Sequence, residues 1–298
     1  MGYIYLVLSK IAAIFKMMAV KKCGNIASGP KNSLRINLLR ALGCIVVGTI
    51  VCLFSGFKGM DSEGVWIAIL SGASNGVLLF AWVLAAACAP MYFVEIFCMF
   101  GGVIFPLILS PIIFDAESVT LIQWCGTMAL FLAVVLLSKR STGQKLTAKS
   151  ILIMVVAGIG NMGMVMAQKM LAAFSTSTAT DFQLVADVAM AGVLFLALLA
   201  TTLIGRRSTR DGIGPSPQTK FTGKVFIFIG IAIVMMYCSQ LLSTMAAGKL
   251  SSVFFPLSYV ISMPLVFITD VIVYKEKITV RNIIGILLIT ASGILINL

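Results

Sequence analysis

Charged residues are scarce in this sequence, and histidine is absent. Asp, Glu, Lys and Arg make up 11% of the 298 residues, whereas about 25% is usual in a soluble domain. Without histidine, a His-ligated metal, a Ser-His-Asp triad and a histidine proton relay are excluded. No CxxC pair occurs among the seven cysteines, so they are expected to be small apolar core residues. We therefore predict no catalytic residues, no metal and no cofactor.

Acidic residues are also few: the sequence contains 10 of them and 22 basic residues. Such a basic excess can indicate nucleic-acid binding. Here, however, 60% of the residues are hydrophobic and the mean hydropathy is +1.09. A surface with so little charge could not face water, so we predict a lipid bilayer as the environment and no nucleic-acid partner.

Long apolar runs divide the chain into candidate membrane spans. A helix needs about 20 apolar residues to cross the hydrocarbon. The first run, 3–20, contains Lys10 and Lys16, and an interfacial helix is the alternative for it. The sequence predicts an all-α polytopic membrane protein with ten transmembrane helices, at about 3–20, 41–57, 65–88, 91–114, 119–138, 151–174, 184–204, 225–247, 252–273 and 281–297.

Basic residues lie mainly on one side of these spans. The opposite side holds only Lys58 and Lys249, which predicts that the basic connections are cytoplasmic. Both termini, including the C-terminus, are then outside the cell membrane. The connections after spans one, five, seven and nine hold sixteen basic residues: Lys21, Lys22, Lys31, Arg35, Lys139, Arg140, Lys145, Lys149, Arg206, Arg207, Arg210, Lys220, Lys224, Lys275, Lys277 and Arg281.

One short junction occurs twice, before spans five and ten. A set of five helices is odd in number, so a duplicated set must insert upside down relative to the first. The sequence therefore predicts two inverted five-helix repeats, 1–140 and 149–298, joined by a cytoplasmic linker, 141–148. The junction residues Glu117, Thr120 and Gly126 recur with the same spacing as Glu276, Thr279 and Gly285.

Prolines interrupt the span that precedes each junction. Pro106 and Pro111 lie in span four, and Pro256 and Pro264 in span nine. Proline bends a helix and frees a carbonyl, which is tolerated in lipid where the break faces protein or a water-filled cavity. Spans four and nine are thus predicted cavity walls.

With this arrangement, the chain resembles the drug/metabolite transporter superfamily in its EamA-like branch. The stretch YKEKITVRNIIGILLITASGILI, at Tyr274–Ile296, is especially similar to the last helix of that family. The resemblance implies a secondary carrier with a central cavity lined by spans one, three, four, six, eight and nine. Its substrate would be a small molecule, because the family moves amino acids, sugars, nucleotide-sugars, amines and drugs. Family members usually have cytoplasmic termini, in contrast to the orientation that the basic residues predict.

Ionisable residues within spans are the first candidates for substrate binding or coupling, because charge in hydrocarbon is costly and usually marks a pathway. Glu95 is the only acid in span four, and we predict that it faces the cavity and couples transport to a proton. The other candidates are Lys16, Lys169 and Asp187, followed in rank by Lys10 and Asp270. The alternative is that these groups pair with one another for assembly, or that the lysines reach the membrane surface.

Amides and aromatics form the second set of candidates, since they can hydrogen-bond a polar ligand or stack on it. Tyr237 and Gln240 are three residues apart, and Asn161 and Gln168 seven, so each pair shares a helix face. The alternative for each is a contact between helices. The set comprises Asn75, Trp82, Tyr92, Asn161, Gln168, Tyr237, Gln240 and Tyr259.

The leading hypothesis is a secondary transporter of a small organic metabolite or drug. A flippase for lipids or lipid-linked sugars is the alternative, and a cavity open sideways to lipid would favour it. A channel or a membrane enzyme is less well supported, because there is no continuous polar stripe and no reactive cluster. Gly285 and Gly293 lie on one face of span ten, which fits a monomer with close helix packing or a homodimer.

Overall fold

A computed structural model describes residues 1–26, 30–88, 96–114, 119–137, 147–209, 223–273 and 279–298. Within these ranges the chain is helical and contains no strand. We number its helices α1 to α10. They are Gly2–Ile26, Pro30–Ser55, Ser62–Cys88, Ile96–Ile113, Leu121–Leu137, Ala148–Phe174, Ala179–Thr209, Gly223–Ala247, Phe254–Ile272 and Val280–Asn297.

Eight of these helices are long and apolar enough to cross a membrane. The other two, α5 and α9, contain the shorter apolar segments Leu121–Leu136 and Phe254–Thr269. Many large apolar side chains on the helices are exposed, such as Leu53 at 78% and Leu287 at 63%. Side chains of this kind are stable where lipid covers them. The protein is therefore an all-α integral membrane protein.

The second helix starts earlier than its hydropathy indicates. The sequence predicts a span at about 41–57, whereas α2 begins at Pro30, a residue favoured at the first helical position. Lys31 and Arg35 consequently lie in the helix and not in a loop. Arg40, at the edge of the span that the sequence predicts, is only 3% exposed.

Contacts between helices recur when each helix number is shifted by five. The most extensive contacts are those of α3 with α6 and of α1 with α8. Shifting both helix numbers of the first pair by five gives the second pair. In the same way, α3 with α7 corresponds to α8 with α2, and α4 with α6 to α9 with α1. The pairs α2–α7 and α5–α10 correspond to themselves.

Helices in these self-corresponding pairs run antiparallel. Near the end of α2, the Cys52 thiol lies 3.7 Å from the carbonyl of Thr180 at the start of α7. In the second pair, the Ser292 hydroxyl donates to the Gly126 carbonyl at 2.7 Å. At the other end of that pair, Arg281 donates to the Val135 carbonyl at 2.7 Å. Helix α2 therefore points in the direction opposite to α7, and α5 in the direction opposite to α10.

The repeated junction starts a helix in both places. The Thr120 hydroxyl accepts from the backbone N–H of Gln123 at 3.3 Å, and the Gln123 side chain accepts from the Thr120 N–H at 3.1 Å. The Thr279 hydroxyl accepts from the Asn282 N–H at 3.3 Å. Each threonine therefore satisfies a donor that the first helical turn leaves free. The threonine of each junction therefore acts as a helix cap.

A carboxylate joins two connections at one end of the bundle. Asp61, before α3, accepts hydrogen bonds from the hydroxyls of Ser175, at 2.5 Å, and Ser177, and from the Thr176 N–H at 3.2 Å. These three donors lie between α6 and α7. Hydrogen bonds from Ser175 and Ser177 lower the pKa of Asp61 to about 2, because they favour the charged form.

We expect Asp61→Asn to lower the thermal unfolding temperature at neutral pH, since an amide offers one acceptor oxygen to three donors. The folded-state pKa lies below the unfolded value of about 4, so the stabilisation is present above pH 4 and is lost as the pH falls through about 2. Unfolding temperatures measured across this range should converge for parent and variant at the acidic end. Glu63→Gln, at an exposed acid of the next turn, is the control. A difference that stays constant down to pH 2 would contradict this role.

Candidate binding site

Polar side chains of α7 and α8 meet inside the bundle. Gln183 donates to the Asp187 carboxylate and to the Gln240 side-chain oxygen, each at 3.0 Å. Gln183 and Asp187 are one helical turn apart and therefore share a face. Asp187 is 1% exposed, and its second carboxylate oxygen, Oδ2, has no hydrogen-bond partner among the described residues.

Tyr237 lies one turn before Gln240, on the same face of α8. Its side chain is 2% exposed, and its hydroxyl also has no partner among the residues that the structure describes. Buried polar atoms are almost always hydrogen-bonded to protein or water, so unmet ones call for an explanation. The unmet atoms of Tyr237 and Asp187 are available to a bound molecule.

Three basic side chains enter the same part of the bundle from α1 and α2. Arg40 donates to the Asn37 side-chain oxygen at 2.8 Å and lies 3.0 Å from the Met236 sulfur. Its Nε atom is buried without a partner in the described part of the chain. Lys16 interacts electrostatically with both Arg40 and Lys10.

The two lysines of α1 point away from lipid. The exposed stripe of that helix contains Ile4, Ile11 and Phe15, and both lysines lie about a third of a turn from its centre, at 100° per residue. Lys10 and Lys16 are nevertheless only partly covered. Both lysines thus lie half-buried on the two flanks of the lipid-facing stripe.

A second polar contact connects α4, α6 and α9. Asn161 donates to the Cys98 carbonyl at 2.7 Å and lies 3.1 Å from the Tyr259 hydroxyl. The contact lies beside a π-helical turn, Phe100–Ile104, in α4, a feature that is frequent at functional sites. Close approach of α4 to α6 is achieved through Gly101 and Gly158, whose backbones touch.

Two residues of α6 bind α8 and the connection that follows it. The Ser243 hydroxyl donates to the Gln168 oxygen at 3.0 Å. Lys169 is 8% exposed and donates to the Leu250 carbonyl at 2.5 Å. That carbonyl lies just past the end of α8, where a cation is favoured by the helix dipole. Lys169 thus binds the connection between α8 and α9.

The structure does not bring every predicted residue into this region. Asn75 lies 3.1 Å from the Met190 sulfur, between α3 and α7. Trp82 packs in an apolar cluster with Ala85 and Met154. Four predicted residues lie outside the described part of the chain: Tyr92, Glu95, Glu117 and Glu276.

One contributor to the site, Gln183, was not among the residues that the sequence singled out. Gln183 precedes Asp187 by four residues, and this helical spacing is the signal that could have identified it. Within the described residues, no group of three His, Cys, Asp or Glu side chains could hold a metal ion.

Comparison with known proteins gives the fold alone. No protein-family model matches the sequence, and no curated protein matches it significantly. In contrast, 28 chains of solved structures match the structure. One of them, described as the crystal structure of a protein, superposes with a TM-score of 0.70 at 16% identity, over 99% of this chain and 98% of the other. The fold is therefore shared, end to end, with a protein whose sequence is very different.

Proposed function

We propose that this protein is a secondary transporter of a small organic solute, built from ten spans in two inverted five-helix repeats. In this proposal it is a member of the drug/metabolite transporter superfamily, in its EamA-like branch, and moves its solute by alternating access. The cell membrane is its location, and it acts without enzymatic chemistry or a cofactor. The main support is a group of buried polar atoms that the described residues leave without partners.

These atoms come from both five-helix sets. Arg40 belongs to the first set, whereas Asp187 and Tyr237 belong to the second. Polar groups inside a membrane bundle are costly and mark solute or ion pathways. A site between two repeats, near the middle of the membrane, is typical of secondary transporters.

The contact pattern also supports the proposal. Extensive contacts exchange in pairs between the two five-helix sets, and the helices run antiparallel in the pairs α2–α7 and α5–α10. An inverted repeat produces both features. Rocking of one set against the other would then open the site to each side of the membrane in turn.

The test is transport by purified protein in liposomes. Proteoliposomes are loaded with unlabelled amino acids, sugars, amines or organic acids, and entry of the same labelled solute is measured against protein-free liposomes. We expect saturable exchange for at least one class, because a carrier turns over without a net gradient of solute. Exchange that never exceeds the protein-free rate for any class would overturn the proposal.

The orientation of the chain can be tested separately. Because the basic connections are expected in the cytoplasm, a green fluorescent protein fused at Leu298 should stay dark, whereas alkaline phosphatase fused there should be active. The same fusions at Ser55, where α2 ends, should behave in the same way. Bright fluorescence at Leu298 together with inactive phosphatase would reverse the proposed orientation.

An apolar groove favours a flippase as the second candidate. It has a volume of about 600 Å³ and lies between α9 and α10, where Val260, Pro264, Ile289 and Ile294 line it. A lipid tail could occupy such a groove. Fluorescent lipids in proteoliposomes test this function: a flippase exposes labelled lipid of the inner leaflet to a membrane-impermeant quencher, whereas a solute carrier does not.

A further inference from the structure

Three basic residues lie close together in the bundle without an acidic partner. Lys16 interacts electrostatically with Lys10 and Arg40. The hydrogen-bond partners of Arg40 are neutral, the amide oxygen of Asn37 and the sulfur of Met236. None of the three bases forms an ion pair within the described residues. Positive charge inside a membrane bundle is unfavourable without a counter-ion, most of all at the buried Arg40, so this arrangement calls for an anion.

The nearby acid does not supply that anion. Asp187 is bound by Gln183, and no ion pair joins it to a base in the part of the chain that is described. Cys44 lies near Asp187, Arg40 and Lys16, so the acid and the bases border the same region without pairing. Three bases against one acid leave this region with an excess of positive charge.

We propose that Lys10, Lys16 and Arg40 bind the anionic group, a carboxylate or a phosphate, of the solute that the protein transports. This inference rests on the proposed transport function and defines its substrate as an organic anion. Arginine suits the task because its planar guanidinium can donate two parallel hydrogen bonds to such a group. Asn37 holds one end of the guanidinium, while Nε remains available.

The remaining unmet atoms would recognise the rest of the solute. The Tyr237 hydroxyl can donate a hydrogen bond or accept one, and the free Asp187 oxygen accepts one. A solute that carries a hydroxyl beside its anionic group could bind the three basic residues through the anion and Tyr237 and Asp187 through the hydroxyl. Two sources share this chemistry, a soluble organic anion and the phosphate headgroup of a lipid, and the experiment separates them.

The first measurement compares ligands by thermal shift on the purified parent protein. Glycerol 3-phosphate and succinate are tested against glycerol, with chloride added to keep the ionic strength equal. A ligand that binds only the folded state raises the unfolding temperature with its concentration. We expect stabilisation by at least one of the two anions and none by glycerol. For the lipid source, protein in phosphatidylglycerol nanodiscs is compared with protein in phosphatidylcholine nanodiscs.

The second measurement compares variants. Loss of one charged hydrogen bond should weaken anion binding at least about tenfold in Arg40→Gln and in Lys16→Gln. Lys22→Gln is the matched control, because it removes one charge from an exposed position on the same helix. If Arg40→Gln does not fold, anion binding is measured on Lys16→Gln and Arg40→Lys instead. Arg40→Lys keeps the charge and loses the two parallel donors.

The outcomes separate this inference from the proposed function. Stabilisation by neither the anions nor phosphatidylglycerol overturns the inference, and exchange of neutral or cationic solutes in liposomes would then still support transport. Equal anion binding in the parent, Arg40→Gln and Lys16→Gln also overturns it. Anion binding that requires Arg40 but is accompanied by no exchange supports the site and overturns transport. Stabilisation by phosphatidylglycerol alone supports the anion site and identifies the lipid as its ligand.

Discussion

Replacing Asp187 with asparagine is expected to lower the transport rate at least about tenfold while leaving the protein as stable as the parent or more so. The carboxylate is buried and one of its oxygens has no partner among the described residues. A charge in this environment destabilises the fold, and a neutral amide of the same shape removes that cost. The amide also removes a charged hydrogen-bond acceptor, a group typically worth a tenfold change or more. Initial exchange rates and unfolding temperatures measure the two effects.

Asp181 provides the matched control on the same helix. It is also buried, but both carboxylate oxygens have partners, the Cys52 thiol and the Lys58 N–H. It lies in the first turn of α7, where the helix dipole favours an acid. Asp181→Asn should therefore lower the unfolding temperature and leave the transport rate per folded molecule unchanged. Asp187→Asn with lower stability and unchanged transport would show that Asp187 is structural.

Replacing Gly101 with valine is expected to prevent folding. A Cβ atom at this position would overlap the Gly158 carbonyl group of α6. Both surfaces are backbone, so no side chain can move aside, and the helices would have to separate. Overpacking usually costs about 1–3 kcal/mol where side chains can adjust, and a greater cost is expected here. Size-exclusion chromatography after membrane extraction should show little monodisperse protein.

Two other glycines isolate the packing effect from the effect on the helix. Gly192 and Gly230 are also helical, but a Cβ atom there meets nothing within 4 Å. Valine is a better helix former than glycine, so Gly192→Val and Gly230→Val should yield folded protein in parental amounts. Gly101→Ala introduces the same Cβ atom, so its yield should also fall well below the parental amount. Parental yield and stability of Gly101→Val would rule out the close contact between α4 and α6.

Local sequence spacing predicts which residues share a helix face, but not what they contact. Tyr237 and Gln240 are placed together correctly, because three residues is nearly one helical turn. The partner of Gln240 is Gln183, 57 residues away, and no local pattern indicates that pairing. Lys169 similarly finds its carbonyl at Leu250, which only tertiary packing can bring near.

Arg40 shows why hydropathy misplaces some site residues. A hydropathy window treats a charged residue as the edge of a span, and the predicted span accordingly starts at about 41. The helix instead begins at Pro30, so Arg40 lies about 15 Å further along it, at 1.5 Å per residue. An all-helical membrane protein can thus be predicted from composition alone, whereas the charges inside it are recognised only when the helix ends are known.

The short helices α5 and α10 affect the surrounding bilayer. They contain 17 and 18 residues, or about 26 Å of helix, against a hydrocarbon thickness of about 30 Å. Helices α1, α2 and α3 contain 25 to 27 residues and cross that thickness easily. Because α5 and α10 pack together, in the proposed ten-span arrangement they would present a shared edge of short described helix to the bilayer. Local thinning of the lipid or a second membrane protein would match such an edge, so we expect the α5–α10 edge to be sensitive to membrane thickness.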